Sequence, residues 1–196
     1  ALILWLSFET GSAEVLALSA LAALLPQSVI GLVAGVYIDR WDRKRTMIAA
    51  DSFIAFCTLL LAVLFFLNLA EIWHIYVLLA LRSVGSAFHM PAMQASIPLL
   101  APADQLGRIA GINQMLESVC NIAGPALGAL FIGLMDISYI LLLDVGGALM
   151  ACLSLLFVRI PNPEQDENKR TGIWIELKEA LHIVKKIKGI TPLVLF

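Results

Sequence analysis

Few charged residues lie deep in apolar sequence, and those that do differ in sign. Arg82 stands about ten residues, or roughly 15 Å, into one long apolar run. Glu117 stands about eleven residues into the next run, counted from its other end, which predicts a similar depth. Asp144 stands about seven residues into a third run, somewhat shallower. A charge near a bilayer centre costs about 3 kcal/mol on an insertion scale, so each should be paired and face a cavity or the bundle interior. These depths predict an Arg82–Glu117 ion pair, with Asp144 as the second candidate partner. The chemistry on offer is proton exchange. A neighbouring arginine favours the ionised carboxylate, whereas burial favours the protonated form. Moving Arg82 away would therefore switch the carboxyl's affinity for protons. A static ion pair that fixes helix packing is the plainer alternative. His89 lies two turns beyond Arg82 and could relay protons, or serve as a hydrogen-bonded packing histidine.

The elements that position these groups are membrane-spanning helices. Hydrophobic residues make up 60% of the chain and charged residues 14%, against roughly 25% charged in a soluble domain. The charges are segregated and leave runs long enough to cross a bilayer, so the fold class is an all-α membrane protein. Helix 1 is expected as an outer end only, residues 1–8, followed by helix 2 at 13–38 with Pro26 inside it. Helices 3 to 6 are expected at about 46–69, 72–99, 106–135 and 137–158. On the family resemblance set out below, residues 1–160 are expected to form a six-helix N-terminal bundle with helix 1 truncated. Residues 161–189 have the composition of an interdomain linker, with an amphipathic helix over 172–189, and 190–196 read as the start of helix 7. The ends read as cut helices.

Arg40, Arg43, Lys44 and Arg45 crowd one short hairpin, Arg108 lies in a second loop, and residues 159–188 supply the remaining cations. The opposite loops carry Glu9, Glu14, Glu71 and Asp136 without a lysine or arginine. The positive-inside rule therefore places the hairpin in the cytoplasm. Asp51 lies just inside helix 3, where a carboxylate needs a partner, and an arginine of the hairpin is the expected one. Asp104 could cap helix 5. Cys57, Cys120 and Cys152 fall in different spans and suit neither a metal site nor a disulfide framework.

Three stretches carry a family resemblance. Gly35-Val-Tyr-Ile-Asp39-Arg40-Trp-Asp42-Arg43-Lys44 resembles motif A of the major facilitator superfamily, G-x-x-x-D-R-x-G-R-R/K, with Asp42 where the pattern has glycine. Gly35 would permit close helix contact one turn before Asp39. Gly111, Gly124-Pro125 and Gly128 resemble the superfamily's antiporter motif, with Cys120 and Ala129 replacing two glycines. Arg82-Ser-Val-Gly85 is similar to motif B, whose arginine the family assigns to proton coupling, although the motif's glutamine is missing. Essentially the whole chain looks like the N-terminal half of a macrolide-efflux-type drug:proton antiporter. The resemblance implies two six-helix bundles with the substrate site between them, so the C-terminal half of the same transporter is an expected partner. It implies export of a small amphiphilic molecule across a bacterial-type inner membrane in exchange for protons. It also implies a latch between the halves at Asp39–Arg45 and tight packing at the antiporter motif. Met90, Gln114, Glu117 and Asn121 are candidate cavity groups. A carrier for a dedicated metabolite, such as a siderophore or lipid, and a non-transporting membrane sensor are the alternatives. No cofactor, metal or nucleic acid is expected. An enzyme is disfavoured, because no nucleophile–base pair, metal cluster or phosphate loop appears.

Overall fold

A computed structural model describes residues 2–38 and 40–161. Six α-helices follow one another: α1 Leu2–Thr10, α2 Ala13–Ile38, α3 Arg43–Phe66, α4 Ile72–Leu100, α5 Leu106–Leu134 and α6 Ile137–Phe157. Five of them, all but the nine-residue α1, contain a stretch long and apolar enough to cross a membrane. Asp39, the expected linker with its amphipathic helix, and the expected start of helix 7 lie outside the described residues.

Local chemistry fixes the helix ends. Asp42, the departure from motif A, is the N-cap of α3. Its Oδ1 accepts from the Arg45 amide at 2.8 Å, so the helix begins at Arg43 rather than at Thr46 as expected. At the other end of the bundle the Glu71 amide donates to Nδ1 of His74 at 3.1 Å, and Trp73 Nε1 donates to the Glu71 carboxylate at 2.7 Å. These bonds anchor the start of α4. Asp104 does not cap α5. It lies in a 3-10 turn, Ala103–Gln105, and the N-cap residue is Gln105.

α4 is the centre of the packing. It lies against α2 on one side and α3 on the other, and α3 also packs along α6. Beside Pro26 in α2, the Gln27 amide donates across to the buried Ser83 hydroxyl of α4 at 3.0 Å. Gly85 brings α4 close to α3, for a Cβ there would stand 2.6 Å from Cγ1 of Ile54. The main apolar core joins Leu6 of α1, Cys57 and Leu61 of α3, Ile75 of α4 and Leu141 of α6. A smaller core at the hairpin end holds Ala34, Ile38, Met47 and Ala92. α5 is different: Gly128 is its buried residue, and most of its apolar side chains are exposed.

Candidate functional site

Depth along the helices decides which charges meet. Arg82 is about 15 Å from the start of α4, and Asp144 about 10 Å from the start of α6. Both helices start at the end of the bundle opposite the hairpin, so the long arginine side chain spans the difference. Nη1 of Arg82 lies 2.9 Å from Oδ2 of Asp144. The expected Arg82–Glu117 pair is not formed. α5 runs the other way and starts at the hairpin end, which leaves Glu117 about 16 Å from that end while Arg82 is about 27 Å from it. The helices are longer than the hydrocarbon layer is thick, so equal counts from opposite ends do not give equal heights. Glu117 is exposed on α5.

Thr58 completes the pair from α3. Its buried hydroxyl donates to the Ile54 carbonyl at 2.9 Å and lies 3.4 Å from Oδ2 of Asp144. Sequence reasoning did not single it out. The available signal was its height, about 12 Å from the far end of α3 and level with Asp144. The Arg82 side chain is 25% exposed and that of Asp144 50%. That exposure opens onto a cavity of about 370 Å³ whose wall includes both groups together with Leu2, Gly124, Gly128 and Phe131. Such a pair can exchange its internal partner for a proton or a solute, because one side of it is accessible.

The remaining expected residues divide by location. Gln114, Glu117, Asn121, Gly124 and Gly128 recur every three or four residues and share one face of α5. That face leads from the cavity toward the hairpin. Only Gly128 of the antiporter-motif residues is buried; Gly111, Gly124 and Pro125 are exposed, and a Cβ at Gly111 or Gly124 would touch nothing among the described residues. Close packing at those glycines is therefore not made within the bundle, nor is it at Gly35, where a Cβ would also meet open space. Met90 is half-buried on α4.

Two of the hairpin cations bind main-chain carbonyls of other helices. Nη1 of Arg43 donates to the Ala95 carbonyl of α4 at 2.7 Å. Nζ of Lys44 donates to the carbonyls of Leu156 and Val158, at 2.9 and 2.8 Å, where α6 runs out of backbone donors. Arg40 and Trp41 line a larger cavity of about 610 Å³ with Phe53 and Phe88. Its volume exceeds that of the ion-pair cavity, but it lies away from Arg82 and Asp144. Asp51 does not pair with a hairpin arginine. Its Oδ1 lies 2.8 Å from Nδ1 of His89 on α4, an ion-pair distance with an approach off the line of a good hydrogen bond.

A family model described as Major Facilitator Superfamily matches residues 1–196. The chain belongs to the major facilitator superfamily. Macrolide efflux protein A of Streptococcus pyogenes is 37% identical over 196 residues, which cover 100% of this chain and 48% of that protein. Macrolide efflux protein A of Enterococcus faecalis is 38% identical over 186 residues, 94% of this chain and 57% of the relative. The uncharacterized MFS-type transporter YfiS of Bacillus subtilis is 28% identical over 166 residues, 83% of this chain and 39% of the relative. The chain thus spans about half the length of the curated relatives it matches. No solved structure matches it. Within the superfamily frame this is a multi-pass membrane protein of all-α architecture, consistent with the N-terminal half of a transporter, and Arg82–Asp144 is its candidate functional pair.

Proposed function

We propose that the chain is the N-terminal bundle of a secondary transporter that exports amphiphilic, macrolide-like drugs in exchange for protons by alternating access. The observation that carries the reading is the Arg82–Asp144 pair on the wall of a cavity. Arg82 stands 2.9 Å from Oδ2 of Asp144, close enough for opposite charges to offset one another. When the guanidinium swings away, a half-desolvated carboxylate is left without a cation and takes up a proton. A return of Arg82 expels it. The Thr58 hydroxyl, 3.4 Å from Oδ2, is within reach of the carboxylate.

The names of the relatives support macrolide-like substrates, and the exposed polar face of α5 supports a substrate path along Gln114, Glu117 and Asn121, with Met90 on α4 as an apolar contact. In this reading Gly111, Gly124 and Pro125 pack against the C-terminal half, and the rocking of the two halves exposes the midplane site to each side in turn. The hairpin end is cytoplasmic, by its cations. There the Asp39–Arg45 segment latches the halves, and Arg43 and Lys44 fix its base to α4 and α6.

The test is proton release from proteoliposomes containing the complete transporter on addition of erythromycin. Wild type should release protons; Asp144→Asn and Arg82→Ala should not, while Glu117→Gln should weaken drug binding and leave the proton step in place. Release that survives in Asp144→Asn would show that the pair is structural. A wild type silent to a panel of drugs would point to a dedicated metabolite carrier or a sensor.

A further inference from the structure

We infer that His89 and Asp51 form a second proton-binding site, placed between the Arg82–Asp144 pair and the hairpin end, through which the proton leaves Asp144 for the aqueous phase. This rests on the proton-coupled reading above and adds a route to it. His89 follows Arg82 on α4 by two turns, about 10 Å along the same face. Nδ1 of His89 lies 2.8 Å from Oδ1 of Asp51, and the two side chains are only 24% and 13% exposed. Asp51 is about 12 Å from the start of α3 and His89 about 16 Å from the end of α4, so both sit well inside the bundle from the hairpin side.

Among the described residues, Arg40 lines the neighbouring cavity with Ala50 and Phe88, and the charges on the helices around the pair are engaged elsewhere. α4 packs against α2 and α3. Between Glu14, at its far end, and Ile38, α2 has no charged residue. On α3 the cations are Arg43, Lys44 and Arg45; Arg43 is bonded to the Ala95 carbonyl, Lys44 to the end of α6, and Arg45 is exposed beside Asp42. On α4 the other charge is Arg82, held by Asp144. Glu117 lies at a similar height on α5, but its side chain is exposed, and α4 packs chiefly against α2 and α3. The compensating charge for Asp51 is therefore a histidine, the side chain that gains and loses its proton near neutral pH.

The step is proton transfer alone. Asp144 gives up its proton as Arg82 restores the ion pair. Water carries that proton along α4 to the imidazole, where an N–H bond forms and Asp51 balances the imidazolium. The imidazolium then breaks an N–H bond to water at the hairpin side, and the site returns to neutral histidine. Gly85 lies between the two stations and sets the close approach of α4 to α3 on which the second depends.

Two readouts on the complete transporter in proteoliposomes test this. Drug counterflow at equal pH needs no net proton transfer; transport driven by a pH gradient does. His89→Asn and Asp51→Asn should keep counterflow near wild type while gradient-driven erythromycin transport and its proton flux fall by about ten-fold or more. The residual rate should lose its dependence on internal pH between about 6 and 8. Driven transport with an unchanged pH profile in His89→Asn refutes the relay, as does a parallel fall of counterflow and driven transport, which marks a purely structural pair. Asp144→Asn separates this inference from the antiport reading. Proton flux lost there but intact in His89→Asn leaves antiport standing and removes the relay, whereas a wild type that moves no protons with drug overturns both.

Discussion

Substitution of Gly85 by alanine tests whether the α3–α4 contact is as close as the backbone places it. An ideal Cβ at Gly85 would stand 2.6 Å from Cγ1 of Ile54, 3.1 Å from its Cδ1 and 3.4 Å from the Ala50 carbonyl oxygen. Ordinary carbon–carbon contact is about 3.5–4.0 Å, so Ile54 must retreat by about 1 Å at Cγ1, part-way down its side chain. It cannot do so by turning its tip alone. The helices cannot separate freely either, because Ser83 ties α4 to α2 on the other side. Overpacking of this kind costs about 1–3 kcal/mol. Alanine also returns about 1 kcal/mol of helix propensity, and a control at Gly147 of α6, where a Cβ meets nothing among the described residues, cancels that gain. Gly85→Ala should therefore unfold in detergent with about 1–3 kcal/mol less stability than Gly147→Ala. In an Ile54→Ala background the penalty should vanish, which makes the coupling between the two sites about the same size. Equal behaviour of the two glycine variants in both backgrounds would refute the close approach, and with it the geometry that presents His89 to Asp51.

Other substitutions probe the contacts around the site. Thr58→Val removes the hydroxyl beside Asp144 while keeping the side-chain volume; drug-coupled proton release should slow several-fold with thermal stability changed by only about 1 kcal/mol. Ser83→Ala takes away the acceptor of the Gln27 amide and should lower stability by about 1 kcal/mol in the same unfolding assay. Lys44→Ala uncaps the end of α6; exposed helix-end cations contribute about 0.3–1 kcal/mol, so the loss should be small and should shrink further at high salt. Lys44→Arg should restore less than full stability, because a compact ammonium reaching two carbonyls is replaced by a planar fork.

The sequence alone determined the number, order and approximate ends of the spans, because about 20 apolar residues bounded by charge have no other solution in a bilayer. It also determined that Arg82 and Asp144 needed partners, since a lone charge at that depth is not tolerated. The α3 start shows where even local reading stopped short. Asp42 looked like a missing glycine, and its carboxylate turned out to be the cap that starts the helix three residues earlier. Partner choice was the tertiary structure's decision. Arg82 takes Asp144 rather than Glu117 because height is set by overhang and helix direction together, and residue counts from opposite ends carry the full uncertainty of both. Asp51 takes His89 rather than a hairpin arginine; Arg43 is engaged by the Ala95 carbonyl of α4 and Lys44 by the carbonyls at the end of α6, contacts that no linear pattern displays. Spacing along a helix reveals which residues share its face. Only the packing of α4 between α2 and α3 shows which foreign face they meet.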